Sequence, residues 1–278
     1  MGIWLWVTVF TAGAAGQFFD AVAGMGFGVI SSTVMITAGL SPAIVVGTIS
    51  LAKIASGLVS GLSHWRFGNV RLRWVLPLVV PAIAGGAIAG MLIVHISEEV
   101  SRLWVPVILV VMGFLILRRS LQATPYRPVV AGAAQEPAIA IARTPWYGLT
   151  QVLAKVPERF WLGSIGFLGG VLNGLSGAFG PFVTSSVLLV KGGHPRYVVG
   201  TVNFVEFFAA SAVAVTIFSQ LAWREFPGGV IVALVGGSTV TAVIGAYLVR
   251  HIPARALALS IGLLLVIFNS WNIWRAVA

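Results

Sequence analysis

Asp20-Ala21-Val22-Ala23-Gly24-Met25-Gly26-Phe27-Gly28-Val29-Ile30-Ser31-Ser32-Thr33 interrupts the first apolar stretch of the chain, and Asn173-Gly174-Leu175-Ser176-Gly177-Ala178-Phe179-Gly180-Pro181-Phe182-Val183-Thr184-Ser185-Ser186 interrupts the fifth. Glycine weakens a helix, by about 1 kcal/mol in its interior, and proline is best tolerated in the first turn of a new one. Each run therefore reads as a break between two shorter helices, with a re-entrant hairpin as one form of it. The stretches that contain them, 3–39 and 160–190, are too long for one crossing, because a bilayer core about 30 Å thick takes roughly 20 helical residues. Working outward, apolar stretches at 43–63, 74–94 and 103–117 follow the first break. Those at 197–218, 228–249 and 256–274 follow the second.

Composition agrees. Of 278 residues, 58% are hydrophobic and 9% charged, and the mean hydropathy is +1.00. A soluble domain carries about 25% charged residues and cannot hide this much apolar surface. The chain is expected to be an all-α polytopic membrane protein in contact with the lipid bilayer. The net charge of +10 does not point to nucleic acid, since the basic residues lie in short gaps between apolar stretches, as in cytoplasmic loops. Met1-Gly2-Ile3-Trp4 lacks the basic start of a secretory signal, so the first apolar stretch is expected to be retained. With no cysteine, thiol relays, disulfides and cysteine metal sites are excluded. Residues 119–158 differ: prolines among Ala and Val read as a cytoplasmic linker. From Pro145 on, Trp146, Leu149, Val152, Leu153 and Val156 fall at helical spacing, which fits a short interfacial helix or chance periodicity equally well.

The halves, 1–118 and 159–278, repeat each other. Val45-Val46-Gly47-Thr48 recurs as Val198-Val199-Gly200-Thr201, an offset of 153. The same offset sets Pro42 on Pro195, Gly24 on Gly177, Ser32 on Ser185, Asp20 on Asn173, Ser50 on Asn203 and Lys53 on Glu206. A constant register carrying so many distinctive positions marks a duplication. If each broken stretch enters and leaves on one side, 13 of the 17 Lys and Arg fall inside, three outside (Arg102, Arg224, Arg275), and Lys53 lies in the membrane. Single crossings would leave 11 inside against five outside. The positive-inside rule favours the first arrangement, an inverted repeat of two halves, each opening on a glycine-broken helix or hairpin.

Inverted repeats with discontinuous helices hold their substrate near the midplane, at the interface of the repeats. The second arm of each hairpin begins at the break, so its unpaired N–H groups and positive dipole end offer a place for an anion. Gly24, Gly26, Gly28, Gly177 and Gly180 would let the backbone approach it, with Ser31, Ser32, Thr184 and Ser185 following in the next turn. The alternative is that these glycines only let helices pack closely, as Gly57/Gly61 and Gly86/Gly90 are expected to do. Asp20, Lys53 and Glu206 are the ionisable residues inside apolar stretches, where each costs several kcal/mol unless paired or hydrated. Lys53 would attract the anion, Glu206 or Asp20 would exchange a proton or tune the lysine, and Asn173 and Asn203 would donate to oxyanion oxygens. A purely structural ion pair of Lys53 with Glu206 or Asp20 is the competing reading. His64, His95, His194 and His251 lie near span ends, where interfacial solvation explains them; no pair has metal-ligand spacing, and no metal or other cofactor is assigned. The tryptophans read as an interfacial belt.

These residues resemble the sulfite exporter TauE/SafE family of bacterial and archaeal membrane transporters. The resemblance covers nearly the whole chain. It rests on the break after Ala21-Val22-Ala23, on Leu40-Ser41-Pro42 with Val46-Gly47-Thr48, and on His64-Trp65-Arg66-Phe67-Gly68-Asn69-Val70. Gly85-Gly86-Ala87-Ile88-Ala89-Gly90 and Gly169-Gly170-Val171-Leu172-Asn173-Gly174 complete it. It implies a multi-pass protein of the bacterial plasma membrane that moves sulfite, sulfoacetate, another organosulfonate or thiosulfate, usually outward. Met25 and Phe27 stand where members often carry more glycine, which points to a more apolar pocket suited to an organic tail. An anion channel and a carrier of a non-sulfur organic anion are the alternatives. An enzyme is disfavoured, since no nucleophile–base pair stands out. The oligomeric state is left open, a homo-oligomer included.

Overall fold

The structure, a computed structural model, describes residues 3–122, 156–190, 195–249, 251 and 254–278. Among these there is no strand. The first half contains α1 (Ile3–Ala23), α2 (Phe27–Thr37), α3 (Pro42–Arg66), α4 (Leu72–His95) and α5 (Glu98–Gln122). The second contains α6 (Glu158–Ser176), α7 (Phe179–Val190), α8 (Pro195–Phe218), α9 (Gly228–Leu248) and α10 (Ala254–Val277), with a 3-10 turn at Trp223–Glu225 before α9. Six of the helices, α3, α4, α5, α8, α9 and α10, are long and apolar enough to cross a membrane. Their outer faces present Leu76, Val80, Phe114, Val232, Val240 and Ile267, a surface suited to lipid.

The breaks fall where the glycines place them, but the arms are unequal. α1 has 21 residues and α6 has 19, against 11 and 12 for α2 and α7. Two shorter helices were expected in each stretch, and only the second arm is short. No residue before Gly24 or Gly177 stops the first arm, so it runs on to nearly full length. It ends where these glycines take up left-handed backbone, with φ of 70° and 76°, a conformation that costs other L-residues about 1–2 kcal/mol. α5 also outruns its expected span of 103–117, and passes the expected domain limit at residue 118. Glu98 and Glu99 open its first turn, where acidic side chains complement the helix dipole, and its last turns extend beyond the apolar core. The interfacial helix expected from Pro145 falls outside the described residues.

The helices exchange partners between halves. α4 packs along α6 and α1 along α9; α3 meets α8 and α5 meets α10. Under the 153 offset α1 corresponds to α6 and α4 to α9, so the first two pairings are equivalents of each other. Small residues make them close: a Cβ on Gly174 would lie 2.9 Å from the backbone nitrogen of Gly90, and one on Gly13 2.9 Å from the Leu234 carbonyl oxygen. Gly57 and Gly61 face Phe207 and Phe204, as their expected packing role requires. The turn after α3 gathers with the starts of α6 and α8 at one end of the bundle: Arg73 pairs with Glu158 at 3.2 Å and the Arg71 N–H donates to Thr201 Oγ1 at 2.9 Å. This is the basic end. At the other end of α3, Arg102 at the start of α5 donates to the Gly39 carbonyl (3.0 Å) and Arg275 at the end of α10 to that of Thr37 (3.2 Å).

Candidate functional site

The two breaks meet. A Cβ on Gly28 would fall on the carbonyl oxygen of Gly177, and one on Gly180 would lie 2.7 Å from that of Gly24. Two hydroxyls tie them: Ser32 Oγ donates to the Ser176 carbonyl at 2.9 Å, and Thr184 Oγ1 to the Gly24 carbonyl at 2.7 Å. Each is a bond from the second arm of one hairpin to the tip of the other, one residue out of strict repeat register. No side chain caps α2 at Gly26, and the first intrahelical bond in this turn is from the Ile30 N–H to the Gly26 carbonyl at 2.9 Å. The N–H groups of Phe27, Gly28 and Val29 precede that bond, as at any helix start. Gly24, Gly26, Gly28, Gly177 and Gly180 are all buried.

Beside the tips lies a buried charge cluster. Lys53 Nζ, on α3, pairs with Asp20 Oδ2 of α1 and with Glu206 Oε2 of α8 at 3.1 Å, and reaches Gln17 Oε1 at 3.4 Å. All three ionisable side chains are 3% exposed or less. The ring of Phe27 lies 5.1 Å from Nζ, the aromatic face turned to the cation. Asp20 and Gln17 accept hydrogen bonds from the ammonium, while the Glu206 carboxylate pairs with it by charge alone. Lys53, expected to attract the anion with Glu206 or Asp20 tuning it, is shared by both of these carboxylates. Asp20 comes from the break and Glu206 from the repeat position of Lys53 itself, so the cluster joins both halves.

The remaining predicted donors divide. Asn203 is committed: its Nδ2 donates to the Asp20 carbonyl at 2.9 Å and its Oδ1 accepts from Ser60 at 3.0 Å. Ser31 Oγ, Ser185 Oγ and Asn173 Nδ2 are buried without a hydrogen-bond partner among the described residues, as are Gln17 Nε2 and Thr48 Oγ1. A buried donor left unpaired costs about 1–3 kcal/mol, so these are atoms a polar guest would satisfy.

Sequence reasoning missed Gln17, Ser56, Ser60, His64 and Asn69. Gln17 stands three residues before Asp20. Ser56, Ser60 and His64 stand three, seven and eleven after Lys53, the spacing of one helix face, and this was the available signal. His64 is fully buried, with Nδ1 3.4 Å from Asn69 Nδ2, so its expected interfacial solvation is corrected: the 67–71 turn folds over it, and Asn69 donates onward to the Ala246 carbonyl at 3.2 Å. Trp74 and Trp161 likewise sit inside, 3% and 5% exposed, because α4 and α6 close on each other there, whereas Trp6, Trp65, Trp223, Trp271 and Trp274 are exposed.

Comparison with known proteins fits this geometry. The family model described as sulfite exporter TauE/SafE matches residues 9–270, from α1 to near the end of α10. The chain belongs to the TauE/SafE family. Among its relatives, a Bacillus subtilis protein named probable membrane transporter protein YtnM is 27% identical over 258 residues, which is 93% of this chain and 79% of that one. A Haemophilus influenzae protein named probable membrane transporter protein is 28% identical over 117 residues, 42% of this chain and 46% of its own. Probable membrane transporter protein ORF9 of a Sinorhizobium species is 30% identical over 109 residues, 39% of this chain and 40% of its own. No solved structure matches. Family and helices together make this TauE/SafE member a multi-pass membrane protein of transporter type.

Proposed function

We propose that the protein exports a small sulfur-containing anion (sulfite, sulfoacetate or another organosulfonate) by alternating access across the bacterial plasma membrane, as an inverted repeat of 1–118 and 159–278 joined by the 119–158 linker. One observation carries the reading: the two glycine breaks converge, in buried surroundings, on a charge cluster that both halves build, with unpaired Ser31, Ser185 and Asn173 as donors. The inversion is supported by which helix ends lie together. α6 starts beside Arg73 and α8 starts beside Arg71, so α6–α7 enters and leaves at the basic end. α1 starts with Trp6 against Gly229, and α2 ends at Thr37 beside Arg275, so α1–α2 uses the other end.

The cluster holds one more carboxylate than ammonium. An anion brought beside it adds a like charge in a medium that screens poorly, unless a proton arrives on Glu206 or Asp20. Protonation frees Lys53 from one partner and makes room for the anion's charge. Binding should therefore strengthen as pH falls, by up to tenfold per pH unit for one linked proton. Glu206→Gln should flatten that dependence; an unchanged profile in the variant would move the proton elsewhere.

The experiment is thermal shift of the purified protein against sulfite, thiosulfate, sulfoacetate and acetate, followed by counterflow in proteoliposomes. Stabilisation by the sulfur anions with saturable counterflow is expected. Flux that neither saturates nor exchanges would identify a channel, and stabilisation by acetate alone would identify a carboxylate carrier.

A further inference from the structure

At the basic end the 67–71 turn delivers an arginine into a cradle. The Arg71 guanidinium lies 4.5 Å from the Trp74 ring and 5.9 Å from that of Tyr197, held between α4 and the start of α8. The nearby carboxylate is engaged elsewhere: Glu158 Oε1 accepts from the Trp74 indole N–H at 2.7 Å and from Arg73 at 3.2 Å. Among the described residues no carboxylate lies within 4 Å of Arg71. A guanidinium held by its face keeps its N–H edge for a planar or tetrahedral oxyanion. The backbone of the same residue is fixed on Thr201, and from there Asn203 and Glu206 follow on α8, about 3 and 8 Å further along the axis. All three are buried: Asn203 and Glu206 turn to Ser60 and Lys53 on α3, while Thr201 lies on the other side of α8, between Tyr197 and Arg71.

Among the described residues the other end has no such arrangement. Under the 153 offset Arg71 corresponds to Arg224, which is exposed, while Trp74 corresponds to Pro227 and Tyr197 to Ile44. Thr48, the equivalent of Thr201, keeps a buried hydroxyl without a partner. The duplication has thus been made unequal at its two mouths. We propose that Arg71, stacked on Trp74 and Tyr197, is the capture site for the transported oxyanion at the basic end, and that its absence opposite makes the two sides of the protein unequal in affinity. The inference rests on the anion-transport reading above and adds the residue and the side.

The test is counterflow in proteoliposomes of fixed orientation, with substrate offered at either end. Arg71→Ala should raise KM at the basic end by about tenfold or more, the loss of one charge-assisted fork, and leave the KM at the other end unchanged, with kcat from the basic end rising in step so that the ratio of kcat/KM in the two directions keeps its equilibrium value. Arg71→Lys, which keeps the charge and the turn but not the fork, should fall between, with an unchanged thermal midpoint showing that the fold is intact. Arg224→Ala should change neither KM. An unaltered KM at the basic end in both Arg71 variants would overturn the proposal, as would an equal rise at both ends with a lower kcat. An effect present in vesicles with phosphatidylglycerol and absent in phosphatidylcholine alone would assign the arginine to a lipid phosphate and also overturn it. Wild-type protein that carries no anion would instead sink the transport reading, a separate outcome.

Discussion

Lys53→Met is expected to abolish transport and to destabilise the protein by about 3–5 kcal/mol, because it leaves Asp20 and Glu206 buried with no counterion between them. The two effects can be separated. Adding Asp20→Asn and Glu206→Gln removes the stranded charges, so the triple variant should recover most of the thermal midpoint in detergent while remaining inactive. The second half already carries Asn173 where the first has Asp20, which makes the amide a reasonable guest there. A single variant as stable as wild type and still able to exchange sulfite would show that the cluster neither holds the halves together nor handles charge. Undiminished sulfonate binding to the triple variant would remove the cluster from the site and leave it a structural pair.

Gly28→Ala is the other large effect. Its Cβ would sit on the Gly177 carbonyl oxygen, and the obstacle is backbone at the tip of the opposite hairpin, which cannot rotate aside. Overpacking of this kind costs about 1–3 kcal/mol or more, and it must also stretch the Ser32–Ser176 and Thr184–Gly24 bonds. A midpoint well below wild type and loss of counterflow are expected. Gly228→Ala, where an added methyl meets nothing within 4 Å and no unusual backbone angle is involved, should be neutral. Equal behaviour of the two variants would mean that the tips are not packed as described.

Much of this was legible in the chain because the signals were repeated. The breaks, the helix starts at Pro42 and Pro195, and the pairing of positions 53 and 206 each appear twice at one offset. What stayed hidden depends on depth and direction. Periodicity alone cannot tell whether a histidine near a span end is wet; His64 is dry because the 67–71 turn folds back over it. Nor could spacing reveal that Lys53 is shared, since Asp20 and Glu206 reach it from helices 33 and 153 residues away in sequence. Ser32 and Thr184 looked like ligand donors for the same reason. Only the crossing of two hairpins makes them cross-struts.

Those struts constrain how anything could pass. The Ser32 and Thr184 bonds lash the hairpins at their innermost points, so neither can swing outward alone without breaking both buried ties. Passage therefore demands either that the lashed pair travel as one piston against the surrounding helices, or that those helices shift about a stationary hub.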